Sequence, residues 1–137
     1  MTTLDEQNRL FIKEFRENKG FVKGRFEGRP MLLLTTKGAK SGEIRINPMM
    51  YLPDGDRWLV FASKAGSPRN PDWFHNLIAD PDVSIEVGTE KIAVYASVLA
   101  GEERDHFYHI QSDLYPQFAE YQSKTERVIP VISLARR

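Results

Sequence analysis

Cysteine is missing from all 137 residues. Its absence removes disulfides, thiolate metal ligands, iron–sulfur coordination and cysteine nucleophiles together, and it fits a reducing compartment. A net charge of one sign is missing as well. Nineteen basic and nineteen acidic side chains cancel to a formal charge of zero, which argues against nucleic-acid binding by the molecule as a whole. No stretch approaches the roughly 20 apolar residues that a bilayer requires, and the N-terminus lacks a signal-peptide core. A cytoplasmic protein is the expectation. No strand leads into Gly-x-Gly-x-x-Gly, and no Walker loop exists. Histidine is scarce: His75, His106 and His109 have no carboxylate or cysteine partners at metal-binding spacing, so surface histidines and no metal are expected. Asp72, His75 and Ser67 lack the spacing of a nucleophile elbow, which sets hydrolysis aside.

What is present is a local excess of positive charge. Residues 20–50 carry six basic side chains against two acidic ones, a net +4, whereas residues 51–100 carry four against seven, a net −3. The length suits one domain with a single core, too small for separate cofactor and substrate domains.

Leu4 to Lys19 reads as a helix with Phe11 and Phe15 one turn apart. Four acids balance its four bases, which favours docking on its own protein over the other open destination, a peripheral contact with a membrane surface. Strands follow: the apolar run Met31 to Thr36, then Ile44 to Leu52, then Trp58 to Ala62 after a hairpin turn at Pro53-Asp54-Gly55-Asp56. Asn70 is expected to cap a short helix with Pro71 in its first position. Asp80-Pro81 ends it. Val83, Ile85 and Val87 alternate with polar residues as in a half-buried strand, and Lys91 to Leu99 pairs back. A second helix starts near Gly101, an aromatic segment runs through Tyr121, and Val128 to Leu134 closes the sheet. Hairpin-joined strands with one short inserted helix predict a mainly β, α+β fold: a small barrel of mostly antiparallel pairing, not a doubly wound sheet.

Two loops carry the chemistry. Lys37-Gly-Ala-Lys-Ser-Gly42 combines freed backbone N–H groups, a hydroxyl and two ammonium groups, the ingredients of a phosphate nest. Arg45 adds a guanidinium fork, which faces a ligand if Ile44 and Ile46 point into the core. Ser63 to Pro71 is a second basic loop that feeds a helix N-terminus, where anions are favoured. Each loop also has a plain reading as a solvated connection. Tyr115, Phe118 and Tyr121 recur every three residues, as core or as the wall over a flat substrate. Trp73 and Phe61 read as core.

The segments Leu34–Gly42 (LTTKGAKSG), Arg45–Pro48 (RINP), Ala62–Gly66 (ASKAG), Asn70–Trp73 (NPDW), Asn76–Pro81 (NLIADP), Tyr115–Tyr121 (YPQFAEY) and Thr125–Pro130 (TERVIP) stand in this order. Together they resemble the deazaflavin-dependent nitroreductase family, small split-barrel proteins of FMN-binding-like fold that use coenzyme F420. The resemblance spans roughly residues 28–134. It implies a split-barrel deazaflavin-binding domain over 28–137, with residues 1–27 as an N-terminal helix and linker. It further implies that Lys40, Arg45, Ser41 and Gly42 hold the cofactor's phosphate and acidic tail, and that Asn47 and Pro48 line the path of tail and ring. Ser63, Lys64 and Gly66 would contact the deazaflavin or phosphate region, Ala62 would belong to the same cofactor-binding set, and Trp73 and Asn76 would brace the loop.

The implied reaction is hydride transfer from reduced F420H2 to a planar small-molecule acceptor: a quinone, an enone or a nitroaromatic. Tyr115 is the first donor to the acceptor, with Ser63 and Tyr121 as alternatives. Phe118 stands where relatives active on bicyclic nitro drugs carry tyrosine, which weighs against nitroimidazole reduction more than quinone reduction. The alternatives are an FMN-binding split-barrel oxidoreductase and a noncatalytic F420 or lipid carrier. Monomer and dimer are both open.

Overall fold

The computed structural model describes residues 4–137. Helix α1 (Leu4–Glu17) leads through a linker to β1 (Met31–Lys37), β2 (Ile44–Met50), β3 (Leu52–Asp54) and β4 (Arg57–Phe61). Helix α2 (Asp72–Ala79), β5 (Asp82–Val87), β6 (Glu90–Val98), α3 (Gly101–Leu114), α4 (Gln117–Ser123) and β7 (Val131–Arg136) complete the chain. The seven strands form one curled sheet in the order β2-β1-β5-β6-β7-β4-β3, and every neighbouring pair is antiparallel. The two-residue loops Gly55-Asp56 and Gly88-Thr89 close their hairpins with glycine at φ 59° in each, as tight antiparallel turns require.

Both faces of the sheet are covered at β1, which explains its continuous apolar run. Met31 and Leu33 join a core with Phe15 of α1, Leu59, Phe61, Tyr108, Phe118 and Val131. Leu32 and Leu34 join a second core with Val60, Trp73, Leu77, Ile85, Val94, Ile132 and Leu134. Strands buried on both faces lose the polar alternation. β5 and β6 keep it, because only one face of each is covered.

Helix α1 lies on the barrel, not away from it. Phe15 is 1% exposed, and Phe11 and Ile12 pack against the same core. Arg16 donates from Nε and Nη2 to both carboxylate oxygens of Glu86, each at 2.9 Å. A Cβ on Gly20 would come within 2.8 Å of the Gly88 Cα, so the linker crosses the β5–β6 turn where only glycine fits.

Several details depart from the sequence-based expectations. Asn70 does not cap α2. Pro71 takes that position, and the Asn70 Oδ1 accepts a 2.7 Å bond from the Arg127 guanidinium, a charged donor that outcompetes a helix N–H. The closing strand starts at Val131, not Val128. Ahead of it, the Ile129 N–H donates to Gln122 Oε1 and the Ile129 carbonyl accepts from Arg104, so side chains take the bonds a ladder would use. Ile44 is 65% exposed, because β2 is the first strand of the sheet and has a free edge.

Candidate functional site

That free edge organises the site. In the β1–β2 ladder, Gly38 N–H donates to the Glu43 carbonyl and Tyr51 N–H to the Pro30 carbonyl. Alternation then directs the main-chain groups of Glu43, Arg45, Asn47 and Met49 toward β1, and those of Ile44, Ile46, Pro48 and Met50 away from it. Proline at 48 suits this pattern, since it lacks the N–H that an outward position leaves unpaired.

Two adjoining cavities run along the edge. A groove of about 1350 Å³ is lined by the turn Gly38–Ser41, by residues 44–47, by Asp72, Trp73, His75 and Asn76 of α2, and by Asn8, Arg9 and Ile12 of α1. A smaller chamber of about 440 Å³ continues past Pro48, Met49 and Met50, where Phe11, Phe26, Phe61, Phe118 and Tyr121 supply apolar walls. Gln7 and Asn8 of α1 and Ser63, Lys64, Ala65 and Gln117 complete the chamber. Successive side chains of a strand point to opposite faces. A cavity bordered by four consecutive β2 residues therefore follows the strand edge itself. Asn8 borders both cavities and marks their junction.

The groove is basic, with Arg9, Lys40 and Arg45 against the single acid Asp72. The turn that carries Lys40 is held from below. The Asn76 Oδ1 accepts from the Ala39 N–H at 2.9 Å, and its Nδ2 donates to Thr36 Oγ1 at 3.0 Å. Asn76 is itself buried, beside Trp73 in the core. The Ser41 hydroxyl accepts from the Glu43 N–H at 3.1 Å. A Cβ on Gly38 would meet Ser41 Oγ at 2.6 Å, so the turn closes as tightly as glycine allows. Arg45 Nη2 lies 3.0 Å from a Glu43 carboxylate oxygen in an exposed pair.

The chamber's polar wall is the loop after β4, and its backbone is strained. Ser63 is αR, Lys64 and Ala65 follow at φ 44° and 53°, and Gly66 at 81°. An αR residue followed by left-handed ones turns successive N–H groups into one concavity. Two non-glycine residues in this region cost about 1 kcal/mol or more each, strain of the kind found at ligand sites. Arg127 over-determines the geometry. It donates from Nε to the Ser67 carbonyl at 2.9 Å, from Nη1 to the Ala62 carbonyl at 3.1 Å and from Nη2 to the Ser63 carbonyl at 2.9 Å, besides its bond to Asn70. Burial lowers the pKa of Arg127 from its ordinary value. Gly66 presses on α4: a Cβ there would stand 2.8 Å from the Tyr121 carbonyl.

The residues singled out in the sequence divide among these places. Lys40, Ser41, Arg45 and Asn47 border the groove. Pro48, Ser63, Lys64 and Tyr121 border the chamber. Gly42, at φ 73°, shapes the turn and donates its N–H to the Gly38 carbonyl. Ala62 is fully buried, and Gly66 is packed beneath α4. Tyr115 stands at the end of α3 with the Arg29 guanidinium 5.3 Å from its ring centroid, outside the two sets of wall residues. Arg127, Asn8, Arg9 and Phe11 were not anticipated. Arg127 lies within the TERVIP segment, but its partners are 57 to 65 residues away, beyond any local pattern.

The family model of the F420H(2)-dependent quinone reductases matches residues 7–136. An F420H(2)-dependent quinone reductase of Mycobacterium tuberculosis H37Rv is 39% identical over 133 residues, 94% of this chain and 89% of its own. The solved structure of an F420-H2 dependent reductase, FDR-A, superposes with a TM-score of 0.70 at 42% identity, covering 77% of this chain and 94% of that one. The heme storage protein HutZ of Vibrio cholerae shares the fold alone, with a TM-score of 0.62 at 17% identity over 95% of this chain and 90% of its own.

Proposed function

The chain belongs to the F420H(2)-dependent quinone reductase family, and on that premise we propose that it reduces a quinone with coenzyme F420 as hydride donor, taking enones and nitroaromatics as further flat electrophiles. One observation carries this reading: a basic groove and an apolar chamber lie side by side along the β2 edge strand, with Asn8 bordering both. A cofactor with an acidic tail and a flat ring needs that combination. The residues fit such a group, since the groove presents three cations and the chamber pairs aromatic walls with the strained Ser63–Ala65 loop.

When bound, F420H2 supplies the hydride, which is the difficult part of the chemistry. The chain's own residues bind and orient. Lys40, Ser41, Arg45 and Asn47 would hold the anionic end, and Pro48 with the Ser63–Ala65 loop would border the ring. Phe61, Phe118 and Tyr121 exclude water around a flat acceptor. Ser63 and Tyr121 stand in the chamber wall, which favours them over Tyr115 as donors toward negative charge developing on the acceptor. Phe118 offers no hydroxyl to a nitro group, so quinones are favoured over nitroimidazoles.

FMN binding is the second reading, and the groove speaks against it. One phosphate fills a small part of about 1350 Å³. The test follows oxidation of F420H2 with menadione, beside parallel reactions with NADPH and with FMN. Turnover is expected with F420H2, and Lys40→Ala and Arg45→Ala should each raise KM about ten-fold with a smaller change in kcat. No binding of F420 together with tight binding of FMN would sink the proposal, and F420 binding without turnover on any acceptor would leave a carrier.

A further inference from the structure

The chamber has two ends along β2. One meets the groove at Asn8, and the other lies at Met50, which pairs with Met31 across the β1–β2 ladder. A cofactor seated from the groove leaves the Met50 end to the acceptor. Beyond that end stands Arg29, in the linker just ahead of β1. Its backbone is held in place: Gly28 turns the chain at φ 77°, the Arg29 N–H donates to the Phe26 carbonyl at 3.0 Å, and Pro30 follows. Phe26 itself borders the chamber.

The Arg29 side chain is partly buried, yet it has no carboxylate partner among the described residues. Arg16, Arg57 and Arg104 each rest on one. Arg29 instead sets its guanidinium carbon 5.3 Å from the Tyr115 ring centroid and its Nη1 3.9 Å from the Met50 sulfur, a weak acceptor. A guanidinium held by a ring and a thioether keeps its strong donors for an oxyanion. No acidic side chain among the described residues borders the chamber to compete for it.

We infer that Arg29 is a specificity-determining residue for the acceptor: it selects flat acceptors whose acidic substituent, a sulfonate or a carboxylate, projects from the chamber past Met50. Tyr115 is the positioning residue that holds the guanidinium there through its ring, a role that its place outside the chamber wall allows. The inference rests on the reading of the chamber as the acceptor's seat.

Rates with F420H2 are compared for menadione and for a naphthoquinone sulfonate, and the ratio of their kcat/KM values is followed across variants, so that the intrinsic reactivity of each quinone cancels. Arg29→Met should lower the sulfonate-to-menadione ratio roughly five-fold, and Arg29→Glu should lower it further. Tyr115→Phe keeps the ring and should keep the ratio, whereas Tyr115→Leu should lower it as Arg29→Met does. Arg136 also lies over a ring, that of Trp58 at 5.1 Å, but borders neither cavity, so Arg136→Met should leave the ratio as it is. Naphthalene sulfonate, which has no reducible carbonyl, is titrated into the protein without cofactor, and its Kd should rise by the same factor in Arg29→Met. An unaltered ratio in both Arg29 variants, or a ratio that falls in Tyr115→Phe, would overturn the inference while quinone reduction stood. No turnover of either quinone, with naphthalene sulfonate still bound through Arg29, would overturn the quinone reductase reading and leave Arg29 as the chamber's anion-selecting residue.

Discussion

Tyr108 shows how much a single buried group can tie together. It is 5% exposed, its hydroxyl donates to the Phe118 carbonyl at 2.6 Å, and the Arg104 guanidinium lies 4.4 Å from its ring centroid. Burial, opposed in part by Arg104 and Arg127, pushes its pKa up to about 12. In the unfolded chain the phenol titrates near 10. The folded value is the higher one, so this contribution is fully present below about pH 10 and is lost as pH rises through about 12. Urea unfolding across that alkaline window should show stability falling, and Tyr108→Phe should flatten the fall while costing about 1 kcal/mol at neutral pH. A variant that kept the wild-type slope would show that another group causes it. At this scale the sequence was most legible where chemistry is local. Lys40, Ser41 and Arg45 belong to one hairpin, so the sequence alone brought them to the rim of one groove. Nothing local singles out Tyr108 within the aromatic segment, because its partner Phe118 lies on the next helix.

The loop between β4 and α2 depends on a residue outside itself. Arg127 is its clamp, and the left-handed Lys64 and Ala65 would relax without it. Arg127→Met should cost about 2–3 kcal/mol, since three carbonyls and Asn70 lose a charged donor at once. Arg127→Lys should recover only part, because an ammonium cannot reach those acceptors as a planar fork does. The informative readout is cofactor affinity beside melting temperature. If the loop forms the chamber wall, Arg127→Lys weakens F420 binding several-fold more than its stability loss alone explains; equal binding by the folded variant would make the clamp purely structural. Element boundaries followed from periodicity and turn residues, and most strands begin within a residue or two of the expected position. The exceptions, Asn70 and Val128–Pro130, are places where long-range side chains capture main-chain or capping bonds. Nothing in the neighbouring sequence encodes that capture.

For the molecule as a whole, hairpin spacing was enough to anticipate an antiparallel barrel, but not which strand would be left with an open edge. That depends on the order of strands in the sheet, where β7 returns between β6 and β4 and leaves β2 at one end. The open edge and the docked first helix are coupled. α1 packs its apolar face on the core through Phe15 and presents Asn8, Arg9 and Phe11 to the cavities. Phe15 anchors a roof that the two cavities share, while Leu10 remains on the outer side, 61% exposed. Phe15→Ala should therefore cost about 3–5 kcal/mol if the helix unfolds with the barrel. If the helix releases first, global stability changes by less than that, and amides of residues 4–17 exchange while β1 and β7 stay protected. Either result should weaken F420 binding, because Arg9 and Asn8 leave the site with the helix. Intact binding by a Phe15→Ala protein whose α1 amides exchange freely would show that the barrel alone forms the site, and that the helix covers it without taking part.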